Sequence, residues 1–243
     1  MSAIILIPER QVFVTDDAAQ HSLGQHAMTP DGRVWRYCEK SGAAAVAGNL
    51  QQSSANDANQ DELVIVTAPA VGTKTFTYTA QTPTALAANE LAEGFVHVGT
   101  LTGLGVGPYM IDSNPAIAAD TANYTVTLKI GVVVAWDTTT VVDIIKSPFR
   151  DVVVSPTTVT GTAAGVAPFA IPANDFGWLQ VKGPATCLAE GTLVVGSAVA
   201  RSVTTAGNVT VYVQTRIEPQ IGECMEINAT TEHSLVNLAM VGA

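Results

Sequence analysis

The chain has 243 residues, enough for one large or two modest domains. Only 13% of them are charged, against about 25% in an ordinary soluble protein, and the 47% that are hydrophobic are mostly alanine and valine. The net charge is −10, and between Ser41 and Leu128 the only lysine or arginine is Lys74. That excludes the clustered cations on which nucleic-acid binding depends, and no segment nears the ~20 apolar residues of a membrane-spanning helix.

Ile4 to Val14 reads as an extended apolar arm, broken at Pro8 with Glu9-Arg10 at the break. Asp16 to Gln25 is polar and loop-like. Thr29-Pro30-Asp31-Gly32-Arg33 is a turn, in which proline presets φ and glycine supplies a positive φ. It feeds Val34 to Cys38, which alternates as a strand does. Ser41 to Leu50 fits a short helix or a glycine-flanked extended segment, and Gln51 to Asp61 is a polar linker. Leu63 to Thr67 is the next strand. Thr75-Phe76-Thr77-Tyr78-Thr79 alternates threonine with aromatics, a strong strand pattern.

Pro83 to Leu91 is helix-compatible in composition, but Asn89 and Gly94 favour a loop entering a strand at Phe95 to Val98. Gly103, Gly105 and Gly107 precede Tyr109-Met110-Ile111, Tyr124 to Leu128 alternates cleanly, Val132-Val133-Val134 continues a buried run, Thr138 to Ile145 is branched throughout, and Val152 to Val154 is another strand. Thr157 to Asp175 is rich in Thr, Gly, Ala and Pro and reads as a long loop or boundary. Asp175 to Leu188 is the most distinctive stretch. Trp178, Gln180 and Lys182 fall on one face, Leu179 and Val181 on the other, and Gly183-Pro184 punctuates it. Short strands follow at Leu193 to Val195, Val209 to Val213, around Met225, and at Leu235 to Met240. Strands spaced about 8–12 residues apart with Gly and Pro turns describe a mainly β chain. The expected architecture is sandwich or barrel-like modules with an extended N-terminal arm and long loops. Its division is an arm and loop-rich segment over 1–60, a β domain over 61–160, and a second β unit over 161–243 that could pack into the same domain.

Little in the chain points to chemistry. Cys38, Cys187 and Cys224 are odd in number and widely spaced, which fits buried free thiols in a reducing cytoplasm better than a disulfide framework or metal site. The three N-x-T sequons matter only in a secreted protein, and Ser2 to Pro8 is too short for a signal peptide. Gly103-Leu-Gly-Val-Gly is followed by no helix, so it reads as a β bulge or tight turn and not as a nucleotide loop. His21 and His26 read as solvated loop residues, and His97, between two valines, as facing solvent or a subunit contact. Asp16-Asp17 and Asp61-Glu62 read as solvated pairs. No Gly-x-Ser-x-Gly marks a nucleophile, although a triad assembled in space leaves no sequence motif. No catalytic, cofactor-binding or metal-binding residue is therefore named. Arg33, Trp35, Arg36 and Tyr37 form the one concentration of arginine and aromatics. It fits an interface hot spot or, equally, a half-buried strand whose arginines cover its edge.

Several loose motifs run through the chain: Thr29 to Tyr37, Gly48-Asn49-Leu50, Ala92 to Val96, Gly105 to Ile111, Phe176 to Ala185, and Gly222 to Glu226. Together they resemble the head decoration, or capsid cement, proteins of tailed bacteriophages. The resemblance implies a non-enzymatic, β-rich virion protein, often trimeric, on the outer surface of the head. Such a protein is made in the host bacterial cytoplasm and clamps neighbouring major capsid protein subunits against internal DNA pressure. It implies no cofactor, no nucleic-acid partner and no membrane. The candidate partner-binding residues are Ile4, Ile5, Leu6, Ile7 and Arg10 of the arm, with Arg33, Trp35, Arg36 and Tyr37. The arm would add a strand to a neighbour's sheet, and its removal through Val14 would leave the β core folded. The alternatives are a tail or fibre-base component and a carbohydrate-binding β-sandwich.

Overall fold

A computed structural model describes residues 4–81, 85–100, 106–213, 218–228 and 232–240. The chain divides into two units, one formed by residues 56–147 and the other by residues 1–55 together with 148–243.

The larger unit opens with β1 (Ile5–Leu6), a 3-10 turn at Glu9–Phe13, β2 (His26–Met28), β3 (Val34–Glu39) and β4 (Leu50–Gln52). The chain then builds the smaller unit. A 3-10 turn at Ala58–Gln60 is capped by Asp57, whose carboxylate accepts the Asn59 N–H at 2.9 Å. β5 (Leu63–Thr67), β6 (Thr75–Thr79), β7 (Phe95–Thr100), β8 (Tyr109–Ser113), β9 (Asn123–Leu128) and β10 (Val141–Ile145) follow. They close on themselves as an antiparallel barrel in the order β10-β5-β6-β9-β8-β7. Period-2 alternation explains the barrel directly. Leu63, Ile65, Phe76, Tyr78, Val96, Val98, Tyr109, Ile111, Val126, Leu128, Val142 and Ile144 all point inward. The threonines of β6 point out, where Thr77 Oγ1 meets Thr125 Oγ1 at 2.8 Å and Thr79 Oγ1 donates to Asn123 Oδ1 at 2.9 Å. Trp136 joins the same core, 5.4 Å from the Phe76 ring and 5.6 Å from Tyr109.

Back in the larger unit come β11 (Val153–Val154), β12 (Ala163–Val166), β13 (Phe176–Leu188), β14 (Ala198–Arg201), β15 (Val209–Val211), β16 (Gln220–Glu226) and β17 (His233–Ala239). The main path of this sheet runs β1-β2-β3-β13-β17-β16-β14-β15, with β12 and β4 attached beside β13 and β11 beside β4. β13 organises it. Its first half pairs with β3, from Phe176 opposite Glu39 to Lys182 opposite Val34. Its second half pairs with β17, from Lys182 opposite Ala239 to Leu188 opposite His233. Gly183-Pro184 therefore does not end the strand. Gly183 takes φ +88° where the partner changes, and a Cβ there would lie 3.0 Å from the Arg33 side chain. The expected parity of Trp178 and Leu179 is present, but both faces are covered. Trp178 packs with Ile7, Val12, Ala27, Trp35 and Tyr37. Leu179 packs with Cys38, Ala45, Val152, Ala164, Ala167 and Ile171.

The chain is mainly β, as expected, but several boundaries differ. Of the two readings of 41–50 the helix is absent: the segment runs through bends and a turn, with Ala45 bridged to Ile171 and Leu50 opening β4. The expected buried run at Val132–Val134 is a loop with Val133 and Val134 exposed, and the expected strand at Leu193–Val195 is also a loop. Thr157–Asp175 is not structureless, because β12 lies inside it and pairs with both β4 and β13. The sequence division at 60 and 160 also differs from the two units. The β3–β13 and β12–β4 ladders tie the first 55 residues to the last third of the chain, so residues 1–55 and 148–243 share one sheet.

Candidate functional site

The candidate partner-binding residues fall on one end of the large sheet, and the structure divides them sharply. β1 runs parallel to β2 at the sheet edge, with Ile5 opposite Ala27 and Leu6 opposite Met28, and Ile7 N–H extends the pairing to Met28 O at 3.0 Å. Alternation then decides each side chain's fate. Ile7 is buried at 6% exposure, and Val12 of the following turn is buried with it. Ile4 and Leu6 point the other way, at 54% and 77% exposure, and Phe13 and Val14 continue the exposed apolar run. The arm is thus a strand of the chain's own sheet and not a free extension. Ile5 is half-buried against the aromatic cluster, and Arg10 is exposed.

Trp35 and Tyr37 lie wholly inside this core. Trp35 Nε1 donates to Thr29 Oγ1 at 3.2 Å. The Tyr37 hydroxyl donates to Asp16 Oδ2 at 3.2 Å and accepts the Gln20 N–H at 3.1 Å, which anchors the polar loop to the sheet. Burial pushes the Tyr37 phenol well above its ordinary value. Its ring sits 5.0 Å from Trp178 and stacks on Phe176 at 6.0 Å. These two aromatics therefore hold the sheet together and present nothing to a partner. The arginines are also engaged. Arg33 pairs with Glu9 and with Asp31 Oδ2 at 2.5 Å, and its guanidinium lies 5.3 Å from the Trp35 ring centre. Arg36 donates to Gly24 O at 3.0 Å and lies over Phe149. Of the candidates, Ile4, Leu6 and Arg10 remain on the surface.

His21 was expected in solvent, but its ring packs 5.1 Å from Tyr37 and 5.2 Å from Trp178. Its loop spacing carried no sign of this, since both partners are remote in sequence. His97 does face outward on the barrel, where Nδ1 meets Asp143 Oδ2 at 2.9 Å. Asp143 also accepts the Glu62 N–H at 2.9 Å, and a hydrogen bond with it holds the exposed Asp61 carboxyl above its ordinary value. Among the described residues no three His, Cys, Asp or Glu side chains come together as a metal site. All three cysteines are free and buried, and burial raises the Cys38 and Cys187 thiols to about 12, so both are protonated at neutral pH. In the Gly103-Leu-Gly-Val-Gly stretch, residues 103–105 lie outside the described residues.

A second apolar surface escaped the sequence reading. Val71, Ile130, Val133 and Val134 are exposed in two loops of the barrel that bond to each other through Gly72 N–H to Val132 O, at 2.8 Å, and Val132 N–H to Thr73 O, at 3.0 Å. The only cue was Gly131 inside the aliphatic run, placed where a Cβ would strike the Gly72 backbone. No protein-family model, curated protein or solved structure matches the chain.

Proposed function

We propose that the protein is a non-enzymatic virion component that binds the outer lattice of a tailed-phage head as a decoration or cement protein. The observation that carries this reading is the outer edge of β1. Among the described residues it is an open strand edge bearing the exposed Ile4 and Leu6, while Ile5 is half-buried and Ile7 is buried in the core. An uncovered strand edge bearing large aliphatic groups is an aggregation liability in a free monomer, and such an edge is a template on which a second chain can pair. Strand addition to a second protein would cover it, and the sequence resemblance supplies the major capsid protein and sister copies as partners. A cyclic trimer would present three such contacts together, so modest single interfaces would add up to firm lattice attachment. A carbohydrate-binding module finds less support, because Trp35, Trp136 and Trp178 are all buried and form no exposed platform.

The test is co-sedimentation of the purified protein with expanded, undecorated heads, beside its mass in solution. Leu6→Asp places a charge on the exposed face and is expected to lower head binding at least tenfold with the fold intact. Equal binding by wild type and variant, or no sedimentation with heads at all, sinks the proposal. Truncation through Val14 is unsuited to this purpose, because it also removes Ile7 and Val12 from the core.

A further inference from the structure

We propose that a cavity beside β12, β14 and β16 binds a small organic acid, its carboxylate held at Arg201 and its aliphatic body against Val159, Ala163, Ile221 and Met240. The inference stands apart from the capsid reading and uses none of the β1 edge.

Arg201 closes β14 and is only 4% exposed. Its Nη2 donates to Gln52 Oε1 at 2.6 Å and to Ser155 Oγ, both neutral acceptors. Its Nε–H is buried with no hydrogen-bond partner. Glu218 acts on it electrostatically, yet no ion pair joins them, and Glu218 Oε2 is itself buried without a hydrogen-bond partner. A guanidinium cannot shed its charge at physiological pH. A buried one is normally matched by an anion, and here its hydrogen-bond partners among the described residues are neutral oxygens, with the Glu218 carboxylate acting on it but not bonded to it.

The space beside it supplies the rest. The cavity holds about 270 Å³, and apart from Arg201, Gln220 and Thr162 its walls are aliphatic, proline or glycine. An apolar chamber with one charged group in its wall is the arrangement that small-ligand sites share. The charge selects the headgroup, since a carboxylate satisfies a guanidinium through charge-assisted hydrogen bonds. The walls select an unbranched or lightly branched hydrocarbon over a sugar or a phosphate ester, because they offer a second polar head almost no partners. Sequence reading passed over Arg201, a single cation closing the run Ala198-Val199-Ala200.

Titration of the full chain with octanoate and with 1-octanol, followed by calorimetry and ligand-observed NMR, tests the proposal. Octanoate is expected to bind at one site with Kd on the order of 0.1 mM, and octanol about tenfold or more weakly. Arg201→Gln is expected to abolish the difference between the two. Val159→Trp, at an exposed loop position on the cavity wall, leaves Arg201 and its bonds in place and is expected to block both ligands. It therefore decides the matter even if Arg201→Gln fails to fold. Absence of octanoate binding, equal binding of acid and alcohol by the wild type, or octanoate binding unchanged in Val159→Trp would each overturn the proposal.

Discussion

Ile7→Ala and Leu6→Ala are adjacent truncations with opposite expected outcomes. Ile7 lies in the cluster with Val12, Ala27, Trp35, Tyr37 and Trp178. Replacing it with alanine removes three carbons, about 2.4 kcal/mol at ~0.8 kcal/mol per methylene. The surrounding rings are wide and pinned by hydrogen bonds at Trp35 and Tyr37, so they close the gap only in part. With the cavity contribution the loss becomes about 2.5–4 kcal/mol. Leu6→Ala removes the same number of carbons from a side chain 77% exposed and is expected to change stability by less than about 0.5 kcal/mol. Urea denaturation separates the two. Trp35 and Trp178 sit in the affected cluster, so their emission in a Trp136→Phe background reports the larger unit alone. With a slope of about 3 kcal/mol per M, Ile7→Ala lowers the midpoint by about 1 M and Leu6→Ala leaves it in place. Equal shifts in the two variants would refute the assignment of Ile7 to the core and of Leu6 to the surface. The same arithmetic revises the truncation argument. Deleting the arm through Val14 removes Ile7, Val12 and the β1–β2 ladder, a loss comparable with the whole stability of a typical domain, about 5–15 kcal/mol.

Three further predictions address other parts of the molecule. Gly94→Ala presses a Cβ into the backbone at Ile145 O and to 2.8 Å from Leu91 O. It is expected to destabilise the barrel by about 1–3 kcal/mol or more, while Gly42→Ala, whose nearest neighbour is 4.0 Å away, changes thermal unfolding little; similar melting shifts in the two would contradict the packing. His26 has its imidazole pKa lowered by burial and then by Arg36, so the fold holds it neutral while the unfolded chain protonates at the ordinary value of 6.5. Stability is then expected to fall as pH drops below that value and to level off beneath the lowered folded value; His26→Leu should flatten this part of the urea-midpoint profile, and an unchanged slope would rule out His26 as its source. Finally, residues 56–147 contain the barrel core and, among the described residues, leave no strand of the closed barrel with an unpaired edge. Expressed alone, the segment is expected to unfold cooperatively with Trp136 emission as reporter, and a random-coil circular dichroism spectrum would refute its autonomy.

How far the sequence foretold this fold depends on where each element's partners lie. β5, β6 and β9 were legible because their burial pattern is local: Leu63 and Ile65 in β5, and Phe76 and Tyr78 in β6, face the core at every second position. Barrel closure was not legible, since it rests on β6–β9 and β7–β10 ladders between strands distant in the chain. Two aliphatic runs misled. Val132–Val134 and Leu193–Val195 have strand-like side chains, but they fall in loops beside Gly131 and Gly196, and Val133, Val134, Val194 and Val195 are exposed. β12 erred in the opposite sense. Ala163-Ala164-Gly165-Val166 resembles a loop because its residues are small, yet they are small because β13 crosses close by. A Cβ on Gly165 would lie 2.7 Å from Leu179 Cβ.

The candidate site follows the same logic. Arginine and aromatic residues are enriched both in hot spots and around half-buried strands, so the composition of Arg33 to Tyr37 leaves the two uses open. The decision comes from outside the segment: Phe176 stacks on Tyr37, Trp178 meets it edge-on, His21 closes over it, and Glu9 and Asp31 take up Arg33. The Phe176 and Trp178 contacts depend on β13 lying beside β3. Once that strand is in place the aromatic face is used up, and the apolar side chains left exposed at this end of the sheet include Ile4 and Leu6 on the outer edge of β1. The residues that look most like an interface in the sequence thus become the support of the edge, and Leu6, an ordinary leucine in an aliphatic run, becomes the residue whose change most directly tests association.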